Sequence, residues 1–121
     1  MAARVTGIRG ATTLDEDTSE QVFSRVQALV REMLDANGVA NEDLVSVILT
    51  ATDDIRSAFP ATAARALGLD DVPLLGAREL GVEGAPQRVV RVLVHAYSSR
   101  PRGEIRHVYL EGATGLRPDL T

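Results

Sequence analysis

The sequence predicts a single α/β (α+β) domain over residues 1–121, built as a five-stranded mixed sheet with one long helix and one short helix. Three observations carry that expectation. Residues 88–97, RVVRVLVHAY, hold seven apolar residues in ten, four of them valine, and read as a strand buried on both faces. Val22, Val26, Leu29, Val30, Met33 and Leu34 recur at helical spacing and form one apolar stripe. Residues 44–52, LVSVILTAT, are rich in β-branched side chains and have the length of a strand.

Taken in order, residues 4–13 open as a strand anchored by Val5 and Ile8, with Gly7 and Gly10 allowing close backbone approach. Arg9 lies near its carboxyl end, where α/β sheets place ligand sites, and reads equally as a solvated arginine. Thr18 with Gln21 forms a capping box, and Asp17 and Glu20 suit the positive helix N-terminus. The long helix stops at Asn37-Gly38, with Arg25, Arg31, Glu32 and Asp35 expected on its solvated face. The 44–52 strand follows a single turn at 41–43 and ends at Asp53-Asp54. Phe59-Pro60 starts the short helix, proline occupying the first helical position, and the helix runs to Gly68. A third strand is expected at 70–75, with Pro73 favouring a sheet edge or bulge, then a turn over 76–81. The 88–97 strand comes fourth, a fifth is expected at 104–110, and 112–121 is a tail without pattern.

Side chains alternate across a strand. Val90, Val92 and Val94 therefore share one face of the fourth strand, and Val89, Arg91, Leu93 and His95 the other. Arg91 is a guanidinium inside an apolar run and needs an anionic partner, either a carboxylate of the protein or a ligand. One long helix cannot cover both apolar faces of such a sheet, so the uncovered face is expected to pack on another copy of the chain.

Composition narrows the chemistry. A net charge of −4 argues against nucleic acid as the main partner. No apolar run approaches the ~20 residues of a membrane span and no signal pattern precedes the first strand, so a cytoplasmic protein is expected. There is no cysteine, no glycine-rich phosphate loop, and no His/Asp/Glu spacing that suggests a metal, so neither a metal nor a cofactor is expected. His95 and His107 read as structural, and Ser57, Ser98 and Ser99 have no base at a recognisable offset. All thirteen basic residues are arginine, as in a GC-rich genome. Arg9, Arg65, Arg91 and Arg117, with Tyr109, are candidates for holding an anionic ligand, because guanidinium pairs with carboxylate in bidentate fashion. Glu79 either accepts from a ligand hydroxyl or pairs with Arg91 or Arg78. On residues alone the reading ends at an oligomeric α/β domain that binds a small carboxylate.

The stretches 7–13, 57–65, 72–75, 91–93, 105–111 and 116–120 together resemble the small monofunctional chorismate mutase of the trimeric α/β type, from the first strand to the tail. The resemblance implies a homotrimer whose sheets pack as a pseudo α/β barrel, with active sites between subunits. It implies rearrangement of chorismate to prephenate in aromatic amino acid biosynthesis. By position, Arg9 and Tyr109 would bind a substrate carboxylate, Arg91 would reach the ether oxygen and a carboxylate, and Glu79 would accept from the ring hydroxyl. Phe59, Ala61, Leu74 and Leu75 would line the pocket, with Arg65, Leu116 and Arg117 near its mouth. Gly76 stands where the family often has Cys or Ser, which removes a side-chain hydrogen bond and changes affinity. The reaction needs no nucleophile or general base, which fits the residue inventory. The alternatives are a non-catalytic oligomer binding small carboxylates in the same cleft, and a trimeric enamine or imine hydrolase of similar architecture.

Overall fold

The computed structural model describes residues 2–116. Five strands, β1 (Arg4–Thr13), β2 (Leu44–Ala51), β3 (Leu74–Arg78), β4 (Val89–Ser98) and β5 (Val108–Tyr109), form one sheet in the order β3-β2-β4-β1-β5. β4 runs antiparallel to both β1 and β2, while β3 is parallel to β2 and β5 parallel to β1. The long helix α1 (Ser19–Ala36) connects β1 to β2, and the short helix α2 (Pro60–Arg65) connects β2 to β3.

The predicted stripe builds the core. Val22, Val26, Leu29, Val30 and Met33 are fully buried and pack with Ile8, Val47, Leu49, Val90 and Val94. Each buried aliphatic side chain of this kind contributes about 1.5–3 kcal/mol, so this layer is the main source of stability. Gly10 sets how closely α1 approaches β1. A Cβ there would lie 2.4 Å from Met33 Sδ and 3.1 Å from Leu29 Cδ1, whereas one at Gly7 would meet nothing nearer than 3.8 Å. Of the two glycines, only Gly10 is required by packing.

Four expectations need correction. The third strand begins at Leu74 and continues through Arg78 instead of ending at 75. Pro73 offers no N–H and serves only through its carbonyl, which accepts from Val47 N–H, so pairing starts beyond it. The fifth strand has two residues instead of seven, because Asn37 binds both Arg106 N–H (2.7 Å) and Arg106 C=O (2.8 Å) and stands in for a neighbouring strand. Arg25 is not on the solvated face. It lies over the end of β1, where Nη1 donates to Thr13 C=O at 2.7 Å and Nη2 pairs with Asp15 at 2.9 Å. The capping box is half made: Thr18 accepts from Gln21 N–H, but the Gln21 side-chain oxygen Oε1 accepts from the N–H groups of Asp15 and Glu16.

The fourth strand also departs from the expectation of burial on both faces. Its helix-side residues are buried, while on the opposite side only Val89 is buried and Arg91, Leu93 and His95 are partly so, because no other element among the described residues covers them. We call this side the open face. The register that decides which residues reach it is held at the start of β4. Arg88 takes a left-handed φ of 52°, its N–H donates to the Asp54 carboxylate at 3.0 and 3.2 Å, and its Nε donates to Leu14 C=O at 3.1 Å. A slip of one residue there would turn Arg91 into the core.

Candidate active site

Strand register brings the open-face residues together. Arg91 pairs across β4 with Thr50 of β2 and with Ala11 of β1, and Ala11 pairs in turn with Tyr109 of β5. Thr50, Arg91, Ala11 and Tyr109 thus form one row across four strands. In the adjacent row Leu93 lies between Ile48 and Arg9. Ala11 is small and fully buried, so the larger side chains beside it enclose a cavity of about 240 Å³, lined among others by Arg9, Thr50, Glu79, Arg91 and Tyr109.

Glu79 closes this cluster from the end of β3. Its N–H continues the ladder to Ala51 C=O at 2.9 Å, which keeps its side chain on the same face as Thr50. One carboxylate oxygen accepts from the Thr50 hydroxyl, and the other lies 3.2 Å from Arg91 Nε. Glu79 is 21% exposed and Arg91 43%, so the pair is partly withdrawn from water and better than a surface ion pair. Since Nε is the atom engaged, the two terminal nitrogens of Arg91 keep their donors available. Arg9 is held through its backbone, whose N–H donates to His107 Nδ1 at 3.0 Å. The arrangement is two guanidiniums and a phenol around a small cavity, with one carboxylate orienting the central guanidinium. It suits a ligand bearing carboxylates and a hydroxyl.

The remaining expected site residues do not join this cluster. Phe59, Ala61, Arg65, Leu74 and Gly76 line a wider groove of about 950 Å³ on the helix side of β3, together with Arg78. Phe59 there is 80% exposed. Leu75 points to the open face, exposed beyond the edge of the sheet. Leu116 follows the 3₁₀ turn Glu111–Gly115 and borders neither cavity, and Arg117 lies outside the described residues. Within one chain, β3 separates the two groups of residues.

Phe59 is placed by a loop tied to the start of α1. The Asp17 carboxylate accepts from Arg56 N–H (2.9 Å), Ser57 N–H (3.1 Å) and the Ser57 hydroxyl (2.6 Å). The Ser57 hydroxyl above all, then the Arg56 N–H, holds the Asp17 carboxyl below its usual pKa of 3.8. Sequence reading missed Thr50 and Asp17 as site residues. Thr50 looks like any strand threonine until the β2–β4 register is known, and the Asp17 partners lie about 40 residues away in sequence.

Comparison with known proteins points to one family. The family model of chorismate mutase type I matches residues 5–120. A chorismate mutase AroH of Thermus thermophilus is 50% identical over 117 residues, covering 96% of either chain. The chorismate mutase AroH of Bacillus subtilis (strain 168) is 39% identical over 118 residues, covering 97% of this chain and 93% of its own. A solved chorismate mutase from Clostridium thermocellum superposes with a TM-score of 0.88 at 38% identity, over 90% of this chain and 97% of the other. A match that spans the sheet, both helices and the Arg91 cluster leaves one assignment: the chain belongs to the chorismate mutase type I family.

Proposed function

We infer that the chain is a chorismate mutase that rearranges chorismate to prephenate, with the cluster around Arg91 as its catalytic centre. The observation that carries this reading is the Thr50–Glu79–Arg91 arrangement, a guanidinium fixed by a carboxylate on rigid strands beside Arg9 and Tyr109. In the rearrangement one carbon–oxygen bond breaks while one carbon–carbon bond forms within the same molecule, and no proton is transferred. Negative charge builds on the ether oxygen as its bond to carbon breaks. A fixed cation at that oxygen stabilises the transition state more than the ground state, which is what raises turnover. Arg91 takes that role. Arg9 and Tyr109 hold a substrate carboxylate, and Glu79 accepts from the ring hydroxyl while keeping Arg91 in place. Confining the flexible substrate to its compact conformer lowers the entropic part of the barrier.

The groove residues Phe59, Ala61, Arg65, Leu74 and Gly76, with Leu75, Leu116 and Arg117, complete the pocket in this reading. Each pocket is, in this reading, formed between two subunits of a homotrimer, which the separation of the groove from the Arg91 cluster by β3 within one chain supports. The partly exposed open face and the exposed Leu75 and Tyr97 support an assembly that covers them. Gly76 leaves ordinary space: an added Cβ would meet only Leu49 C=O, at 3.9 Å. Gly76→Ser therefore fits and should alter affinity, not folding. The protein is taken to be cytoplasmic.

The decisive experiment follows the loss of chorismate absorbance with purified protein and identifies prephenate by its acid conversion to phenylpyruvate. Rapid, saturable conversion is expected, from a species of three times the 12.9 kDa chain mass in sedimentation equilibrium. Binding of chorismate without conversion would replace the enzyme by a carboxylate-binding module. A stable monomer would refute the shared pockets.

A further inference from the structure

A second cleft, of about 510 Å³, opens at the end of the sheet where β1 begins, on the other side of Leu93 and Arg9. Arg4, Arg9, Arg100, Arg102 and His107 line it, and no Asp or Glu does. None of these four arginines has a carboxylate within ion-pair distance among the described residues. Arg100 is fixed in place, its Nη1 donating to Ala36 C=O at the end of α1 at 2.9 Å. Arg9 and Leu93 also line the cavity around Arg91, so the two clefts are adjacent and Arg9 is common to both. The cluster is out of character with the chain as a whole, whose net charge is −4.

We propose that this basic cleft is a capture site for the dianionic substrate, which it draws to Arg9 and passes to the Arg91 cluster. The proposal rests on the function argued above. A local positive field in an otherwise acidic molecule raises the concentration of a small dianion at the mouth of the site and speeds its association, by a factor of ten or more at low salt. The field fades with ionic strength, since charges more than about 8–10 Å apart are screened at physiological salt. Arg4 and Arg102 are exposed and absent from the cavity around Arg91, so they act on capture and not on the chemical step.

The test is the ionic-strength dependence of kcat/KM for chorismate, measured on the assembled protein. Arg102→Gln and Arg4→Gln are compared with Arg31→Gln, which removes the same charge from the exposed side of α1. The expected result is a several-fold fall in kcat/KM for the two cleft variants at low salt, with kcat unchanged. Their values should converge on the parent's at high salt, while Arg31→Gln follows the parent throughout. Equal behaviour of the three variants, or cleft variants with the parent's salt response, would overturn the capture site and leave the enzymatic function standing. A parent protein that makes no prephenate at any ionic strength would overturn both.

Discussion

On the helix side of β4, Val90, Val92 and Val94 are at most 3% exposed and pack in the core, whereas on the open side Arg91 keeps 43% of its side chain accessible and Leu93 and His95 are half-buried. The two sides alternate residue by residue along one strand and share one set of backbone hydrogen bonds. The difference teaches how a small chain holds a cation rigidly. The valines bury area against α1 and make the strand immobile, and that rigidity passes to the guanidinium on the opposite side. The ladder that stabilises the fold is also what orients Arg91.

The largest expected separation of the two sides comes from Arg91→Ala. Turnover should fall by at least the ~10²–10³-fold typical of losing one donor at a developing oxyanion, while the circular dichroism and melting profile stay close to the parent's. Near-normal turnover would remove Arg91 from the proposed role. Leu29→Ala, on the other side, should cost about 2–5 kcal/mol in urea-unfolding stability yet leave kcat per folded molecule intact. Loss of kcat at full stability would show that core and site are not separable in this way. Thr50→Val sharpens the comparison, because it keeps the shape of the open face and removes only the hydroxyl that Glu79 accepts from. A hydrogen bond to a charged group contributes about 1.5–3 kcal/mol, so kcat should drop roughly ten-fold or more if that bond orients the Glu79–Arg91 pair.

The smallest effect concerns Asp17. Its pKa in the folded protein lies below the ordinary 3.8, so the loop anchor is fully present above that value and is lost as pH falls through the lowered one. Amide resonances of Arg56 and Ser57 should titrate in that acidic window and lose the transition in Asp17→Ala. Titration at or above the ordinary carboxylate pKa would mean that the three hydrogen bonds do not hold in solution.

Much of this was legible in the sequence because it depends on local chemistry. The α1 stripe, the Thr18 cap, Pro60 opening α2 and the alternation around Arg91 are each set by residues a few positions apart. The errors arose where a distant group intervened. Asn37 takes the backbone of Arg106 and shortens β5, and the Thr13 carbonyl with the Asp15 carboxylate at the end of β1 draws Arg25 away from solvent. Glu79 shows both sides of this: Arg91, Arg78 and a ligand hydroxyl were all open as its partners, and only the β2–β3 register brings it to Arg91.

By itself, then, the sequence determined the elements, the buried stripe, and the requirement that Arg91 find an anion, since periodicity and the cost of an unpaired charge act within a few residues. The tertiary structure decided which strands are neighbours, that Thr50 and Glu79 hold Arg91, and that β3 parts the groove from the cavity. Those outcomes depend on register between segments about 30 to 100 residues apart in sequence, which no local pattern encodes because hydrogen-bond ladders form equally well in several registers until a packed face chooses one.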